Sequence, residues 1–416
     1  FKMKNYKLIN NCRLCNSKKL RTVFDLGKSP LANSLVIKEK LKKKEEIYPL
    51  KINFCENCKH VQLTHSVSAK KMFNNYLYLT NTSEQNRAHF KKYAYEVSKK
   101  FKNYNSSILD IGSNDGTFLS FFNKKNFFRV GIDPAKNLVK FTKKIGIRQF
   151  PIFFTKKNSE IIKKKIGGFD IITANHVCAH VTNLSDFFNG VKNLLNENGV
   201  FIFEVSYLAD VIKKKTFDKI FHEHADYHSL KPLIKFVKKF DLEIFDFKLV
   251  DAQGGSIRVY VSNKGKKAIN SKKIFKQIVS ENKKYKLFAP QTYIRFQKEV
   301  NQIGTKLRIL LKKIKKKNYK IAAYGAAAKT TTFTNYFKID KNLIEFIVDD
   351  NKLKQNKFAP FTHIPILNPK EIYKKKVHFV IILAWNYSDH IIKKHRLFLK
   401  KKGKFIIPFP KIKVIR

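Results

Sequence analysis

Apolar residues fall in short runs along the middle of the chain, and turns rich in glycine or polar residues separate these runs. Short apolar runs bounded by turn residues predict buried strands. The predicted strands lie within residues 107–120, 129–134, 169–176, 199–205, 242–250 and 256–262. The first segment continues through a glycine turn into the start of a helix, so the pattern predicts an open α/β sheet.

The order of these segments is that of a class I methyltransferase sheet, with the last two strands as a terminal pair. Some other doubly wound α/β domain is the alternative, because such domains share the pattern. In both cases a ligand is expected beyond the carboxyl ends of the strands.

A glycine loop follows the first predicted strand. Gly112 and Gly116 remove side chains where a cofactor must approach the backbone. The spacing departs from Gly-x-Gly-x-x-Gly, and Asp110 suits a cofactor with a cationic amino-acid end and no pyrophosphate. Asp133, after the second strand, can accept hydrogen bonds from both ribose hydroxyls. The predicted cofactor contacts are Asp110, Gly112, Asn114, Gly116, Asp133 and Asn175.

A second pattern of strand, turn and helix occupies residues 320–331. The N–H groups at the start of that helix can donate to phosphate oxygens, and Lys329 adds a positive charge. An ordinary strand-to-helix turn would have the same pattern. Between the two α/β regions, residues 268–317 predict a long Lys-rich helix whose apolar stripe packs between domains.

Four of the five cysteines form two Cys-x-x-Cys pairs, Cys12 with Cys15 and Cys55 with Cys58. Together the pairs can close a tetrahedral zinc site with four sulfur ligands, which leaves no open position for catalysis, so the zinc is predicted to be structural. Free buried thiols or a redox pair are the alternatives. Only Cys178 is left over, which favours a metal site in a reducing compartment over a disulfide framework.

Composition indicates a basic globular protein of two or three domains. The chain has 416 residues, is 43% hydrophobic and carries a net charge of +55. Such a charge is typical of nucleic-acid binding, so a zinc-containing nucleic-acid-binding protein or an RNA methyltransferase is an alternative function. The lysines are nevertheless spread along the whole chain, without a recognisable RNA-binding motif.

The apolar runs are far shorter than the ~20 residues that a membrane span needs, and the first residues contain no apolar signal core. We therefore expect a cytoplasmic protein that has no membrane as its partner. Because the lysines are spread along the chain, we expect no nucleic acid as its partner either.

Residues 219–228 concentrate His222, His224 and His228 with the carboxylates Glu223 and Asp226. Such a density of polar groups is costly in a core and suggests a site. A histidine or glutamate can take a proton from the carbon beside a carbonyl. The spacing lacks the His-Glu-x-x-His pattern of helical zinc sites. A surface loop with satisfied histidines is the alternative.

The whole chain resembles the sugar C-methyltransferase family, in motifs that keep one order from the cysteine pairs nearly to the end. They include Leu109-Asp110-Ile111-Gly112-Ser113-Asn114-Asp115-Gly116 and Phe221-His222-Glu223-His224, with further matches at residues 23–27, 30–33, 75–78, 254–259, 324–329, 348–350, 363–366 and 383–386. The resemblance implies a zinc domain, an S-adenosylmethionine-dependent methyltransferase domain and a Rossmann-like carboxy-terminal domain that helps to hold a nucleotide-linked sugar.

The resemblance also implies roles for single residues. His224 is implied as the base that takes the proton beside the ketone, with Glu223 orienting or tuning it. The other catalytic candidates are His180, His222 and Tyr76, and the substrate-binding candidates are Tyr78, Lys329 and Arg258. The family usually has Tyr where this chain has Phe221, so the role of a phenol hydroxyl must pass to another group or to water.

The predicted boundaries are 1–67 for the zinc-binding domain, 68–264 for the methyltransferase domain, 265–317 for a helical connector and 318–416 for the carboxy-terminal domain. The predicted activity is methylation of a carbon of a nucleotide-linked 4-keto-deoxysugar through an enolate. A catalytically degenerate homologue is a further alternative because of Phe221. The oligomeric state is left open, with a monomer among the options.

Overall fold

The computed structural model describes residues 5–68, 71–72, 80–82, 84–101 and 106–416. The strands are β1 (Tyr6–Leu8), β2 (Leu20–Ser29), β3 (Tyr48–Cys55), β4 (Val61–Leu63), β5 (His65–Val67), β6 (Ser106–Ile111), β7 (Phe127–Ile132), β8 (Arg148–Phe150), β9 (Phe169–Asn175), β10 (Leu195–Ser206), β11 (Asp226–Tyr227), β12 (Leu242–Val250), β13 (Ser256–Asn263), β14 (Ile321–Tyr324), β15 (Phe346–Val348), β16 (Lys357–Phe358), β17 (Pro365–Leu367), β18 (Phe379–Ile382), β19 (Lys404–Ile407) and β20 (Lys413–Ile415).

The helices lie mainly between these strands. They are α1 (Glu84–Phe101), α2 (Val139–Lys144), α3 (Lys156–Ile166), α4 (Leu184–Leu194), α5 (Leu208–Lys213), α6 (Leu230–Val237), α7 (Ser271–Lys283), α8 (Pro290–Lys316), α9 (Ala328–Tyr336), α10 (Glu371–Lys374), α11 (Ser388–Lys394) and α12 (Arg396–Lys400). Short 3-10 helices include Leu119–Phe121, Phe217–Lys219 and Trp385–Tyr387.

The amino-terminal part is an antiparallel β structure. Strands β1 and β5 pair with each other, and β2, β3 and β4 form a sheet in chain order. The fourth strand of that sheet is β11, which pairs antiparallel with β4. Because β11 begins two residues after His224, the histidine-rich segment is joined directly to the amino-terminal sheet.

The middle of the chain forms a sheet in the order β12-β13-β10-β9-β6-β7-β8. The five strands from β10 to β8 are parallel, and β13 runs antiparallel to both of its neighbours. This is the class I methyltransferase arrangement with its terminal strand pair, so the predicted fold class is confirmed. The carboxyl ends of β6, β7, β9 and β10 lie at one edge, where the predicted cofactor residues are found.

The helix predicted directly after β6 is wrong. The chain forms only the 3-10 helix Leu119–Phe121 before β7 begins at Phe127. Phe118 and Phe122 pack against each other, with ring centroids 5.2 Å apart, in a small apolar cluster under the sheet. These ring contacts hold the segment after the glycine loop in a 3-10 turn.

The last part is a second α/β sheet in the order β16-β17-β15-β14-β18-β19-β20, with its five inner strands parallel. The connector before it is two helices, α7 and α8, where the sequence predicted one long helix. Pro290 occupies the first turn of α8, a position where proline fits because its missing N–H has no partner there.

The segment that carries the histidines lies between all three parts. Phe217 packs against Phe333, Phe337 and Phe409 of the carboxy-terminal part, with ring centroids 5.0–6.0 Å apart. The hydroxyl of Thr332 in α9 donates to the carbonyl of Ile220 at 3.0 Å. Among the described residues no helix has both the length and the apolar composition of a membrane span.

Candidate active site

The glycine loop after β6 makes a tight turn at the edge of the middle sheet. Gly112 has φ +74°, and a Cβ there would lie 2.3 Å from Val177 Cγ2. Gly116 has φ +78°, and a Cβ there would lie 2.9 Å from Ile147 Cδ1. Both positions therefore require glycine for conformation and for packing. Asn114, between them, donates its backbone N–H to Asp133 Oδ2 at 3.0 Å, which holds the loop against the end of β7.

Asp110 and Asn175 end adjacent parallel strands and touch each other. Asp110 is buried, and its Oδ1 accepts from Thr173 Oγ1 at 2.7 Å and from Asn175 Nδ2 at 3.3 Å. Burial disfavours the charged carboxylate and raises the pKa of Asp110 to about 7. In the described part of the chain, Asn175 Oδ1 is buried without a hydrogen-bond partner. A ligand with an ammonium group would supply a charge and donors, so this pair fits the amino-acid end of S-adenosylmethionine.

Asp133 lies just beyond β7 with its carboxylate held by the backbone. Its Oδ1 accepts from the N–H of Ala135 at 2.9 Å, and burial raises its pKa. Each carboxylate oxygen can accept a second hydrogen bond, so Asp133 fits the predicted contact with ribose hydroxyls.

His224 and His180 meet in a T-shaped ring contact with centroids 4.9 Å apart. The N–H of Ala225 donates to the carbonyl of Ala179 at 2.8 Å, which joins the two segments that carry them. His224 Nδ1 lies 2.7 Å from the carbonyl oxygen of Lys219. A carbonyl can only accept, so Nδ1 carries the proton and Nε2 has a free lone pair. Burial lowers the pKa of His224 well below 6.5 and that of His180 to about 4, so both rings are neutral at pH 7.

Glu223 and His222 contact the amino-terminal part instead of His180. Glu223 Oε1 accepts from Asn33 Nδ2 at 2.7 Å, and burial raises its pKa to about 7. His222 Nε2 donates to the carbonyl of Pro49 at 3.3 Å, and its ring packs edge-on against Tyr48. Of the three predicted residues in this motif, only His224 makes ring contact with His180.

Arg13 joins the zinc-binding turn to both histidine segments. Its Nε donates to both oxygens of Asp226, at 2.9 and 3.0 Å. Its Nη1 donates to the carbonyl of Thr182 at 3.0 Å, and its Nη2 donates to the carbonyl of Val181. His60 Nε2 lies 2.8 Å from the same Asp226. Arg13 therefore fixes the segment after His180 and the strand after His224 relative to each other.

The four paired cysteines form a compact cluster. Their sulfur atoms all lie within 4.8 Å of one another, and the distances Cys12–Cys58 and Cys15–Cys55 are both 3.5 Å. Ligands about 2.3 Å from a tetrahedral zinc ion are separated by similar distances. The cluster therefore fits one zinc ion held by four thiolates, as predicted.

The predicted substrate-binding residues are dispersed. Lys329 lies in the first turn of α9, and its Nζ donates to Asn386 Oδ1 at 2.6 Å. Arg258 is buried, pairs with Glu204 at 3.0 Å and Glu96 at 2.9 Å, and stacks its guanidinium on Tyr93. Tyr76 and Tyr78 lie outside the described residues.

Two buried charged residues next to the motif were missed. Lys219 is 3% exposed and Asp218 is fully buried. Both stand between the apolar residues Phe217 and Ile220, and such a position in an apolar run is the signal by which they could have been found. Lysine is almost never buried unless it has a partner.

Three family models match consecutive parts of the chain. Residues 12–73 match the "Putative zinc binding domain", residues 82–246 match the "Methyltransferase domain", and residues 251–410 match the "C-methyltransferase C-terminal domain". Their order is that of the amino-terminal β structure, the middle sheet and the last sheet along the chain.

Individual proteins are similar over different shares of the chain. An S-adenosylmethionine-dependent methyltransferase from Clostridium acetobutylicum is 16% identical, covers 43% of this chain and 92% of its own, and has a TM-score of 0.35. Magnesium protoporphyrin IX methyltransferase from Synechocystis is 10% identical over 43% of this chain and 79% of its own, with a TM-score of 0.33. C-methyltransferase NovU from Streptomyces niveus is 28% identical over 98% of this chain and 97% of its own.

Proposed function

Because this chain belongs to the C-methyltransferase family and has an S-adenosylmethionine-dependent methyltransferase domain, we propose that it methylates a carbon of a nucleotide-linked 4-keto-deoxysugar. The tautomer of His224 carries the proposal. A carbon acid must lose a proton before it becomes a nucleophile, and a neutral imidazole with a free Nε2 can accept that proton. The hydrogen bond from His224 Nδ1 to the carbonyl of Lys219 selects this tautomer.

The edge of the middle sheet would hold the methyl donor. S-adenosylmethionine supplies an electrophilic methyl group when it is bound. Asp110 and Asn175 would bind its amino-acid end, since one offers an uncompensated carboxylate and the other an unpaired buried oxygen. Asp133 would accept from the ribose hydroxyls, while Gly112, Asn114 and Gly116 shape the loop between them.

The protein's part in the reaction is removal of one proton. His224 Nε2 takes the proton from the carbon beside the ketone, and the electron pair of the C–H bond delocalises onto the ketone oxygen. The resulting enolate carbon is the nucleophile. His180 contacts His224 edge-on and so fixes the plane of the imidazole. The low pKa of His180 keeps its own ring neutral, so no second charge lies beside the base.

Phe221 is the departure from the family that this mechanism must accommodate. Its ring packs on His224 with centroids 4.0 Å apart. The residue at this position therefore supports the imidazole by packing and offers no hydroxyl. The enolate oxygen would be stabilised by another donor or by water.

The test is a product assay. The purified protein is incubated with S-adenosylmethionine carrying a labelled methyl group and a panel of nucleotide-linked 4-keto-sugars, and the products are analysed by mass. We expect one sugar to gain a labelled methyl group on carbon. Retention of the methyl donor without transfer to any member of the panel would support the degenerate homologue instead.

The high positive charge of the chain calls for a separate test of the alternative function, an RNA methyltransferase. An RNA methyltransferase would bind RNA at physiological salt, whereas spread lysines give only weak attraction that salt screens. We expect no gel shift with single-stranded or double-stranded RNA at physiological salt. A stable shift, with labelled methyl groups recovered on the RNA, would replace the sugar proposal.

A further inference from the structure

A row of polar side chains crosses the middle sheet next to the predicted cofactor residues. Asn175 of β9 is paired in register with Glu204 of β10, and Glu204 is paired in register with Arg258 of β13. Side chains of paired residues on neighbouring strands point to the same face of a sheet. Asn175, Glu204 and Arg258 therefore share one face, at the edge where the methyl donor is predicted to bind.

Glu204 is a fully buried carboxylate whose two oxygens have different partners. Its Oε2 accepts from Arg258 Nε at 3.1 Å and from Arg258 Nη2 at 3.0 Å. Its Oε1 lies 2.8 Å from His89 Nε2 and 3.5 Å from His176 Nε2. Burial opposes ionisation, but the imidazoles of His176 and His89 outweigh it and hold the pKa of Glu204 well below its usual value. A negative charge therefore faces both rings.

His176 has a backbone conformation that is uncommon for residues other than glycine. It directly follows β9 with φ +57°, and its backbone N–H donates to the carbonyl oxygen of Glu204 at 2.7 Å. The next residue, Val177, packs on the glycine loop at Gly112. Left-handed conformations of this kind concentrate at functional sites, where the surrounding structure has to hold them. The ring of His176 is thus held between the cofactor loop and β10.

The imidazole of His176 lies within electrostatic reach of the proposed base. Burial is the main cause of the lowered pKa of both His180 and His224, and the charge of His176 contributes to each. The side chain of His176 is 26% exposed, so a ligand can contact it. His176 therefore lies between the predicted contacts of the methyl donor and the base.

We propose that His176 is a further catalytic residue, which donates a hydrogen bond from Nδ1 to the ketone oxygen that becomes negative when His224 removes the proton. This inference rests on the proposed function and names the donor that Phe221 cannot supply. A carboxylate only accepts, so Nε2, which faces Glu204, carries a hydrogen in this state. Nδ1 carries the second hydrogen, and Glu204 is the counter-charge of the imidazolium.

The hydrogen on Nδ1 stays on His176 throughout the reaction. The electron pair of the C–H bond delocalises onto the ketone oxygen when His224 takes the proton, and it returns to carbon when the bond to the methyl group forms. The hydrogen bond from His176 is strongest while the oxygen carries the negative charge. It therefore increases kcat more than it increases the affinity for the substrate.

The experiment measures removal of the proton separately from methyl transfer. The whole protein is incubated in deuterium oxide with S-adenosylhomocysteine, which has no methyl group to transfer, and with the panel of nucleotide-linked 4-keto-sugars. Uptake of deuterium at the carbon beside the ketone is followed by mass and by NMR, and the rate without protein is subtracted.

Two variants of His176 remove different parts of the side chain. His176→Gly removes the ring, and glycine adopts the observed φ without strain. His176→Asn keeps an N–H donor near the position of Nδ1, and asparagine also tolerates this φ. Thermal unfolding and the affinity for S-adenosylmethionine are measured on every variant, so a loss of the fold is recognised.

Two controls accompany these variants. His89→Ala removes the other imidazole from the same oxygen of Glu204 and tests whether His176 acts only by supporting that carboxylate. His390→Ala removes an exposed histidine on α11.

We expect His390→Ala to exchange hydrogen at the wild-type rate and His176→Gly to exchange it about 10²–10³-fold more slowly, the usual cost of removing one donor to an oxyanion. His176→Asn should recover part of the rate, and His89→Ala should lose less than His176→Gly. The KM for the sugar should change little in His176→Gly.

Three results would overturn the assignment. They are equal rates in His176→Gly and His390→Ala, a loss in His89→Ala as large as that in His176→Gly, and a rate in His176→Asn no higher than in His176→Gly. The second result would mean that the ring acts through Glu204, and the third that it acts by packing.

These outcomes separate the two proposals. If the wild type methylates a sugar and His176→Gly exchanges hydrogen as fast as the control, the role of His176 is wrong and the proposed function stands. If the wild type neither exchanges hydrogen in any member of the panel nor methylates one, the proposed function is wrong, and the role of His176 is wrong with it.

Discussion

At the scale of single residues, two separate causes give His224 the protonation state that its proposed role requires. The carbonyl of Lys219 decides which nitrogen carries the proton, because a carbonyl cannot donate. Burial then keeps the ring neutral by lowering its pKa. Neither cause depends on the other, so the proposed role of His224 as the base can be tested by removing the side chain and, separately, by varying the pH.

Replacing His224 by Ala should reduce the rate of methyl transfer by about 10²–10⁴-fold, the usual contribution of a general base. The affinity for S-adenosylmethionine should change little, since the predicted contacts to that molecule are on other segments. Single-turnover transfer and calorimetry measure the two quantities. His390→Ala is the matched control, because His390 is exposed on α11. Equal rates in both variants would exclude His224 as the base.

The pH profile of methyl transfer should reflect the lowered pKa of His224. Protonation inactivates the base, so the rate is retained as the pH falls towards 6.5 and is lost only when the pH passes through the lower pKa of His224. Single-turnover rates at saturating substrate measure this, because saturation removes the pH dependence of binding. An acid limb centred at or above pH 6.5 would contradict the assignment.

Replacing Asp110 by Asn should weaken the binding of S-adenosylmethionine by about tenfold, since it removes a buried charge next to the predicted ammonium position. Asn can still accept from Thr173, so the melting temperature should stay close to that of the wild type. Calorimetry measures the affinity of this variant for S-adenosylmethionine. The control is Asp389→Asn, because the carboxylate of Asp389 is exposed. Equal affinities in the two variants would mean that Asp110 does not bind the amino-acid end of the cofactor.

At the scale of elements, the strands that position the predicted cofactor residues could be predicted from the sequence. Their apolar runs are short and end in turn residues such as Gly112 and Pro134, so β6, β7, β9 and β10 were all found. The helix predicted after β6 was wrong because a local pattern does not show how Phe118 and Phe122 pack, and here they pack against each other around a 3-10 turn. The division between α7 and α8 was missed although Pro290 is a regular signal of a helix start.

Arg13 connects elements that are distant along the chain. Its replacement should impair catalysis and leave cofactor binding intact. Met at this position removes the contacts with Asp226 and with the carbonyls of Val181 and Thr182. A shift between His180 and His224 should lower kcat by about tenfold to a hundredfold. The affinity for S-adenosylmethionine should remain, because β6, β7 and β9 do not depend on Arg13.

The control for this variant is Arg21→Met, since Arg21 is exposed on β2 of the same part of the chain. Arg13→Lys should recover part of kcat, because an ammonium can keep one of the contacts but not the fork of the guanidinium. A decrease in cofactor affinity equal to the decrease in kcat would mean that Arg13 supports the fold as a whole.

At the scale of the whole molecule, the contacts between distant segments could not be predicted from local patterns. Asp226 and Tyr227 belong to the middle of the chain by sequence, yet they complete the amino-terminal sheet by pairing with β4. The burial of Lys219 was missed for a different reason. The Lys-rich composition favours a solvated interpretation for each lysine, although the position between Phe217 and Ile220 indicates burial. The resemblance to a family supplied the order of the parts, and the domain boundaries drawn from it stay predictions.

Removal of zinc should therefore affect the active site as well as the amino-terminal part. The turns that carry the cysteines also carry Arg13 and precede His60, and both contact Asp226. Without the ion, the four cysteines lose the zinc–sulfur bonds that hold these turns together. Chelation should lower the melting temperature and abolish methyl transfer, while the affinity for S-adenosylmethionine persists because the middle sheet is built from other strands. Differential scanning calorimetry, measured zinc content and cofactor titration follow the three quantities.

The double variant Cys55→Ser/Cys58→Ser should reproduce the effect of chelation, since it removes two of the four ligands. Cys178→Ala is the matched control, because Cys178 is a buried cysteine outside the cluster and should leave the zinc content unchanged. Full transfer activity in protein freed of zinc would show that the cysteine cluster stabilises its own sheet only. Loss of cofactor affinity together with zinc would show instead that the amino-terminal and middle sheets unfold as one unit.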